Sequence, residues 1–321
     1  MKKIIITGAT GSIGHRLVRE LTARGDEVIV FTRDPEKAAK KISSKTKIVK
    51  WDYESLDDPS SLHYAGTSWM HELNGVDAVV HLAGANLGAK RWNAEYKKLA
   101  YDSRIISTRN LVEAIKSVEP AYRTGRQKPK VFICSSAVGI YGNRYDEILD
   151  EKSSPANNYL SDLCRDWEAE AEKAEEIGLR RVSIRTGLVL DKNEGLLKKM
   201  LPTFKLFLGG YLGNGKQWFP WIHIDDIVGI YLHVIDNANI KGALNAASLG
   251  IVANKEFSKT LGKILSKPAL LPVPKFILPI VSGELGYYVT VSQRISVDKI
   301  LNSGYKFKFE NLQEALNDLL N

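Results

Sequence analysis

The glycine-rich stretch at residues 8–14 restricts the fold of this chain more than any other feature of its sequence. It reads Gly-Ala-Thr-Gly-Ser-Ile-Gly, directly after the apolar run at residues 3–7 and directly before a helical pattern. A strand, a glycine turn and a helix in this order are typical of a dinucleotide-binding α/β unit, because the N–H groups that open the helix attract a phosphate. The predicted cofactor contacts in this stretch are Gly8, Thr10, Gly11, Ser12, Ile13 and Gly14.

Short β-branched runs alternate with helical patterns through the first half of the chain. Each unit begins with a strand, which predicts a doubly wound parallel sheet with helices on both faces, the Rossmann arrangement. The predicted strands are Lys3 to Thr7, Glu27 to Thr32, Thr46 to Lys50, Ala78 to Leu82, Lys130 to Ser135 and Arg180 to Ile184. The predicted helices are Ile13 to Ala23, Glu36 to Lys41, Ser103 to Ser117 and Ser161 to Ile177.

The pattern changes after about residue 186, where Gly and Pro become more frequent. We therefore predict a dinucleotide-binding domain over residues 1–186 and a smaller α/β region over residues 187–321 that covers the substrate, with parts of the later chain free to return to the first domain. The aromatic and Gly-rich segment 209–221 suits the lining of a cleft. Residues 57–72 and 119–129 are predicted surface insertions, and residues 312–320 a C-terminal helix.

Composition and charge exclude several classes of protein. Hydrophobic residues make up 44% of the 321 residues, and no stretch approaches the roughly 18 apolar residues of a membrane span. Cys134 and Cys164 form no paired motif, which favours two small core residues in a reducing compartment. The net charge of +8 comes from basic residues spread along the chain, so a nucleic-acid ligand is not expected. We predict a soluble, cytoplasmic protein without a membrane partner or a bound metal.

The end of the second predicted strand distinguishes the two nicotinamide dinucleotides. A carboxylate there binds the free 2′-hydroxyl of NAD(H), whereas an arginine accommodates the 2′-phosphate of NADP(H). The strand ends in Thr32-Arg33, without a carboxylate. Asp34 precedes Pro35 and is expected to cap the next helix. The sequence therefore predicts NADP(H), with Thr32 and Arg33 beside the 2′-phosphate.

Motifs along nearly the whole chain resemble those of the extended short-chain dehydrogenase/reductases. The chain is similar to their atypical branch, the NAD-dependent epimerase/dehydratase-like family, also described as epimerase family proteins. Besides the glycine turn, the matching segments are Leu82-Ala83-Gly84, Arg91-Trp92, Asp102-Ser103-Arg104, residues 136–142, residues 163–168, Arg185-Thr186-Gly187, residues 199–202, residues 221–226 and residues 271–274.

This resemblance implies an NADP-binding fold with a short C-terminal domain over the cofactor. The positions that it places at or near the cofactor are Thr32, Arg33, Leu82, Arg104 and Glu168, and the predicted site includes Ala83 and Gly84 of the same turn as Leu82. Arg104 is expected in the first turn of the helix after the fourth strand, within reach of a phosphate or ribose, with a surface arginine as the alternative.

The chain lacks the catalytic set of the ordinary short-chain enzymes. That set is an acid/base tyrosine, a lysine four residues later that lowers the pKa of the tyrosine, and a serine that polarises the carbonyl. In an alignment on Tyr141, the serine position falls on Ala137, one residue from Ser136. Tyr159 stands where the catalytic tyrosine would be, but Leu163 occupies the lysine position. In the other register, Leu160 and Cys164 fill these two positions.

The remaining catalytic candidates are Tyr141, Ser136 and Tyr159, followed by Cys164 and His223. Each also has a structural interpretation; His223, for example, would lie in a short strand before a helix capped by Asp225 or Asp226. Two functions fit these observations. One is an NADP-dependent oxidoreductase or epimerase-like enzyme that transfers hydride to a small carbonyl or sugar-type substrate, and the other is a module that senses NADP(H) without catalysis. The missing lysine favours the module, and the cleft-lining segment favours the enzyme.

Overall fold

The computed structural model describes residues 1–53, 69–118, 127–269, 271–274 and 283–321. Its strands are β1 Lys3–Thr7, β2 Glu27–Thr32, β3 Lys47–Lys50, β4 Ala78–His81, β5 Val131–Ala137, β6 Ile148–Leu149, β7 Arg180–Thr186, β8 Leu188–Leu190, β9 Gly210–Leu212, β10 Trp218–Phe219, β11 Trp221–His223, β12 Gly242–Ala246, β13 Val252–Ala253, β14 Leu271–Val273 and β15 Arg294–Ile295. Its α-helices are α1 Ser12–Ala23, α2 Pro35–Ala39, α3 Ala94–Lys116, α4 Tyr159–Glu176, α5 Gly195–Lys205, α6 Ile224–Asp236, α7 Asn254–Ile264, α8 Leu285–Tyr288, α9 Asp298–Asn302 and α10 Leu312–Leu320.

Seven strands form one sheet in the order β12-β7-β5-β4-β1-β2-β3. Each neighbouring pair in this sheet is parallel. The order reverses between β1 and β4, so the connections that leave these two strands run to opposite faces and open a crevice at the carboxyl edge of the sheet. The predicted doubly wound α/β fold is confirmed, and the glycine turn lies at this crevice.

The central strands β1 and β4 are mainly apolar because both faces of the sheet are covered. Ile4 and Ile6 of β1 pack into the same core as Leu17 of α1 and Ile227 of α6, whereas Ile5 belongs to the core on the other face, with α3 and α4. Each of these isoleucines is fully buried, which contributes about 1.5–3 kcal/mol per side chain. Local alternation along each strand therefore fixes which residues face which layer of helices.

Most predicted elements occupy the residues that the sequence assigns to them. The bounds of β1, β2 and α10 agree with the prediction, and the other predicted strands differ at their ends by one or two residues. The largest difference is α3, which begins at Ala94 and not at Ser103, because the side chain of Asn93 accepts a hydrogen bond from the N–H of Tyr96 and caps the helix there. Asp34 caps α2 through the N–H of Lys37, as predicted.

The later part of the chain returns to the first half. Strand β12 adds to the edge of the main sheet beside β7, and α6 packs against α1. Further two-stranded pairings are β8 with β11, β9 with β14, β10 with β13 and β6 with β15.

The predicted domain division at residue 186 stays a prediction. Most of the two predicted surface insertions (residues 57–68 and 119–126), and part of segment 267–279, lie outside the described residues. No helix in the described ranges has both the length and the apolar character to cross a membrane.

The cap of α6 differs from the prediction. His223 is the capping residue, and its Nδ1 accepts the N–H of Asp225 at 3.1 Å. The Asp225 carboxylate pairs instead with Arg16 of α1 at 3.0 Å, and the buried Asp226 carboxylate accepts N–H groups of residues 308–309. The expectation that one of these aspartates caps the helix was therefore wrong, because tertiary contacts recruit both side chains.

Candidate dinucleotide site

The glycine turn after β1 is shaped by two close backbone approaches. Gly8 has φ +69°, and a Cβ on it would lie 2.6 Å from the carbonyl carbon of Leu82. A Cβ on Gly14 would lie 2.5 Å from the carbonyl oxygen of Gly8, so α1 packs directly on the turn. A Cβ on Gly11 would meet only the Gly8 oxygen, at an ordinary 3.5 Å. The protein itself therefore requires glycine at residues 8 and 14, and leaves open space at Gly11.

The turn leads into α1 with its N-terminal N–H groups uncapped. Gly11 is the N-cap residue and provides no side-chain hydrogen bond, and the first turn of α1 contains no acidic residue. The first N–H groups of a helix have no partner within the helix, and the helix dipole adds a partial positive charge at this end. The turn is therefore suited to hold an anion.

A cavity of about 330 Å³ opens from the turn toward β2, and we call it the β2-side cavity. Its walls include Thr10 and Gly11, the turn after β4, and the aromatic side chains of Phe31, Trp51 and Tyr53. Arg33 lies at the end of β2 with its guanidinium carbon 6.0 Å from the centre of the Tyr53 ring. The aromatic side chains can pack against a flat ring. The Arg33 guanidinium can bind a second anion, because none of the described residues that line this cavity carries a carboxylate that would repel it.

A second cavity of about 260 Å³, the β5-side cavity, lies on the other side of the turn. It shares Gly8, Gly11 and Leu82 with the first cavity and extends past Ser135 of β5 to Val189 and Asp191 after β7. Apolar walls from Ile13, Leu82 and Val189 face polar groups of Asn86 and Ser135. The two cavities adjoin at these three shared residues, where the strand order reverses, and we call them together the cleft. A larger cavity of about 580 Å³ lies elsewhere, beside β6 and α9.

A buried histidine holds the turn after β4 against β1. The Thr7 hydroxyl oxygen accepts the N–H groups of Leu82 and Ala83 at 3.2 and 3.1 Å, so its single hydrogen is left for Nδ1 of His81, 2.8 Å away. The imidazole is therefore neutral with its proton on Nε2, which faces the Ser107 hydroxyl at 3.2 Å. Burial, assisted by the charge of Arg104, lowers the pKa of His81 to about 3.

Protonation of the unfolded chain at this histidine should make the fold sensitive to acid. In the unfolded chain His81 has its ordinary pKa of 6.5, whereas in the folded protein it takes up a proton only near pH 3. Below pH 6.5 the proton therefore binds the unfolded chain preferentially, and the stability that is present above pH 6.5 is lost as the pH falls. We expect His81 to account for a loss of about 2 kcal/mol between pH 7.5 and pH 5. Urea unfolding at both pH values should show this loss in the wild type and in the exposed control His15→Gln, and a smaller loss in His81→Gln. Equal losses in all three proteins would contradict this role of His81.

Arg104 lies behind the turn after β4 and not in the first turn of a helix. That prediction was wrong because α3 begins at Ala94, which places Arg104 in the middle of the helix. The buried guanidinium donates hydrogen bonds to the carbonyls of Ala100 and Ala85 and lies 5.1 Å from the centre of the Trp167 ring. A Cβ on Gly84 would be only 2.9 Å from its central carbon. Arg104 thus gives a fixed positive charge directly under the wall of the β2-side cavity.

Two of the three first-named catalytic candidates, Ser136 and Tyr141, belong to one buried hydrogen-bond network, which we call the Arg185 network. Arg185 forms a bidentate ion pair with Glu168 at 2.8 and 2.9 Å, and the Ser136 hydroxyl donates to the same carboxylate at 2.6 Å. The Tyr141 hydroxyl accepts from Arg185 and donates to Asn245. Burial raises the pKa of Tyr141 to about 12 despite the neighbouring guanidinium. The carboxylate of Glu168, predicted near the cofactor, is thus fully engaged inside the protein.

Tyr159, the third candidate, is the first residue of α4 and points toward α3. Its hydroxyl donates to the Lys97 carbonyl at 2.8 Å, and its ring packs edge-on against Trp92. Burial raises the pKa of Tyr159 to about 12, although Arg104 opposes this shift. Cys164, at the alternative lysine position, is buried as predicted, and burial raises its pKa to about 12. None of the catalytic candidates occurs among the described residues that line the two cavities.

Sequence reasoning missed several residues that line the cleft. Trp51 and Tyr53 follow the third strand, and their aromatic character at the carboxyl end of a strand was the signal that could have identified them. Asn86, Ser135 and Asp191 line the β5-side cavity and come from two loops and a strand end. The described residues that line the two cavities include none from segment 209–221, which forms β9, β10 and the start of β11.

Similarity to known proteins extends over nearly the whole chain. The model of the NAD dependent epimerase/dehydratase family matches residues 4–247, and the model of a domain of unknown function, DUF1731, matches residues 273–319. The Epimerase family protein SDR39U1 homolog, chloroplastic, of Arabidopsis thaliana is 36% identical over 317 residues, which cover 99% of this chain and 86% of that protein. The Epimerase family protein SH2119 of Staphylococcus haemolyticus is 33% identical over 323 residues, which cover 100% of this chain and 99% of that protein.

Solved structures show the same fold. The crystal structure of human epimerase family protein SDR39U1 (isoform 2) with NADPH has a TM-score of 0.83 and 30% identity, over 99% of this chain and 98% of that chain. The nucleoside-diphosphate sugar epimerase from Corynebacterium glutamicum has a TM-score of 0.73, also at 30% identity, over 99% of this chain and 58% of that chain.

Proposed function

The chain belongs to the NAD dependent epimerase/dehydratase family, and from this premise we propose that it binds NADP(H) in the two-part cleft at the glycine turn and acts on a small carbonyl or sugar-type substrate. The observation that carries the proposal is the open space at Gly11, flanked by two cavities of which one contains Arg33 and no described carboxylate. When bound, a nicotinamide dinucleotide supplies hydride transfer. Residues 187–321 would complete the substrate side.

The diphosphate would lie on the turn, against the free N–H groups of α1. The predicted contacts from this turn are Gly8, Thr10, Gly11, Ser12, Ile13 and Gly14. The adenosine half would fill the β2-side cavity, where aromatic residues suit the flat base. The nicotinamide half would enter the β5-side cavity, between apolar walls that suit a ring and beside polar groups that suit its carboxamide. Arg104 and Glu168 would act from behind the walls of the cleft.

The preference for NADP(H) over NAD(H) rests on the end of β2. Arg33 is exposed there and free of any ion pair in the described part of the chain, while the nearby Asp34 is used as the cap of α2. A guanidinium can form bidentate hydrogen bonds with the 2′-phosphate, whereas a 2′-hydroxyl would find no carboxylate among the described residues that line the cavity. The human relative that was solved with NADPH supports this assignment.

Arg33→Ala is expected to weaken NADPH binding about tenfold, which corresponds to ~1.4 kcal/mol, and to leave NADH binding nearly unchanged. The reason is that only the 2′-phosphate needs the guanidinium. Isothermal titration calorimetry of both cofactors with the wild type and the variant measures this difference directly. The wild type should bind NADPH at least tenfold more tightly than NADH, and Lys37→Ala, on the adjacent helix, is the matched control. Equal affinities for the two cofactors in the wild type would refute the assignment.

Two observations bear on whether the protein is a catalyst or a sensor of NADP(H). The hydroxyls of Tyr141 and Tyr159 are both engaged inside the protein and have raised pKa values, which supports the sensor. The β5-side cavity, with Ser135 and Asn86 beside the proposed nicotinamide position, supports the enzyme, as does the C. glutamicum relative that is named a sugar epimerase. We favour the enzyme. Net NADPH oxidation with a panel of carbonyl compounds would reveal a reductase, and conversion of a sugar-type compound without net oxidation of the cofactor would reveal an epimerase, whereas a sensor would show neither. The cytoplasmic location and the absence of a nucleic-acid ligand stay predictions.

A further inference from the structure

A buried carboxylate contacts the glycine turn from the opposite side of the cleft. Asp191 follows β8 and is only 4% exposed. One carboxylate oxygen accepts the hydroxyl of Ser12, the first residue of α1, at 2.5 Å, and the other accepts the N–H of Asn193 at 2.9 Å. Asp191 and Ser12 both line the β5-side cavity. An anion of the protein therefore lies beside the anion site that the free N–H groups of α1 create.

The charge of Asp191 is only partly compensated. Among the described residues its ion-pair partner is Arg16, one turn further along α1, whose guanidinium nitrogen is 3.8 Å from the Asp191 carboxylate. The same guanidinium lies closer to Asp225, at 3.0 Å. One cation is thus shared by two carboxylates, and the three side chains together carry a net negative charge. In the absence of a ligand this charge is favourable, because it faces the positive end of the dipole of α1.

We propose, on the basis of the cofactor site proposed above, that Asp191 is an internal competitor of the diphosphate and sets the affinity of the site. The diphosphate brings negative charge to the same helix end, where the interaction with a carboxylate becomes repulsive in a partly buried, weakly screened environment. Asp191 thereby keeps the dinucleotide exchangeable. Both anions also compete for the hydrogen of the Ser12 hydroxyl, which can be donated to only one acceptor.

Asp191→Asn tests this role because it removes the charge and keeps a side-chain oxygen that can accept from Ser12. We expect the variant to bind NADPH about tenfold more tightly than the wild type by calorimetry. Adenosine 2′-monophosphate, which lacks the diphosphate, should bind both proteins equally. Glu20→Gln, which removes a charge from the exposed side of the same helix, should leave the affinity for NADPH unchanged. Thermal unfolding without ligand verifies that each variant is folded.

A positioning role of Asp191 would have the opposite sign. If the carboxylate served only to orient Ser12 toward the cofactor, Asp191→Asn would bind NADPH equally well or more weakly, and this result overturns the proposal. Asp191→Ala removes both the charge and the hydrogen bond, and it should also bind more tightly than the wild type if the charge dominates. Binding of NADPH by the wild type without tighter binding by Asp191→Asn refutes only the role of Asp191. A failure of all three proteins to bind any dinucleotide refutes the proposed function as well.

Discussion

Gly11→Val is expected to abolish dinucleotide binding while the protein remains folded. Gly11 has an extended backbone, with φ −80° and ψ 170°, which every residue can adopt. A Cβ there meets only the Gly8 oxygen, at an ordinary 3.5 Å, so the backbone of the turn accommodates a β-carbon. Gly11 lines both cavities, and the added methyl groups would occupy the space into which the diphosphate must fit. We expect the affinity for NADPH to fall at least 100-fold, about 2.7 kcal/mol.

Gly14→Val is the control for this experiment, since the same substitution has the opposite consequence three residues later. Its Cβ would lie 2.5 Å from the Gly8 oxygen and 2.7 Å from the Ala9 Cα, and neither backbone atom can move away without disrupting the turn. This variant should fail to fold or unfold at much lower temperature. Calorimetry with NADPH and thermal unfolding together distinguish the two outcomes. If Gly11→Val bound NADPH normally, the cofactor would have to lie elsewhere.

Arg185→Met is expected to destabilise the protein by about 3–5 kcal/mol. The substitution leaves the carboxylate of Glu168 with a hydrogen bond from Ser136 but without its cation, and the Glu168 side chain is only 12% exposed. The Tyr141 hydroxyl loses a donor at the same time. A buried charge without its partner is costly because little solvent is available to stabilise it. Urea unfolding at neutral pH measures the loss.

The double variant Arg185→Met/Glu168→Gln separates the ion pair from simple packing. The amide that replaces the Glu168 carboxylate is uncharged and its oxygen can still accept from Ser136, so the double variant should be more stable than Arg185→Met alone. The coupling free energy in this cycle should reach about 1–3 kcal/mol. Additive losses would show that the two side chains contribute independently, contrary to the role inferred for the Arg185 network.

The features that could be predicted from the sequence are those that depend on neighbouring residues. The order of β1, the glycine turn and α1 is encoded within about 20 consecutive residues, and the cap of α2 by Asp34 within four. The start of α3 is also local, but its signal is a single residue, Asn93, ahead of a weakly amphipathic helix. A prediction without that cap starts the helix at Ser103 and so places Arg104 in its first turn. This is why the position of Arg104 was predicted incorrectly.

The walls of the cleft depend instead on contacts between distant parts of the chain. Trp51 reaches the cavity because its N–H bonds to the carbonyl of Thr32, which aligns the end of β3 with the end of β2. Asp191 meets Ser12 across 179 residues of sequence. The direction of the Tyr159 hydroxyl is set by the Lys97 carbonyl in the early turns of α3. No pattern within one segment encodes contacts between residues this far apart. The fold could therefore be predicted better than the residues that line the cleft.

The place of β12 at the edge of the main sheet has a consequence for synthesis on the ribosome. Strand β7 ends at Thr186, but its outer neighbour is completed only at Ala246, so about 60 residues must be translated before that edge is paired. At roughly 5–20 residues per second this interval lasts about 3–12 s. During that time β7 presents free backbone N–H and C=O groups to other nascent chains. We therefore expect chaperones to bind ribosome-stalled fragments that end between β7 and β12 more than fragments that end after β12.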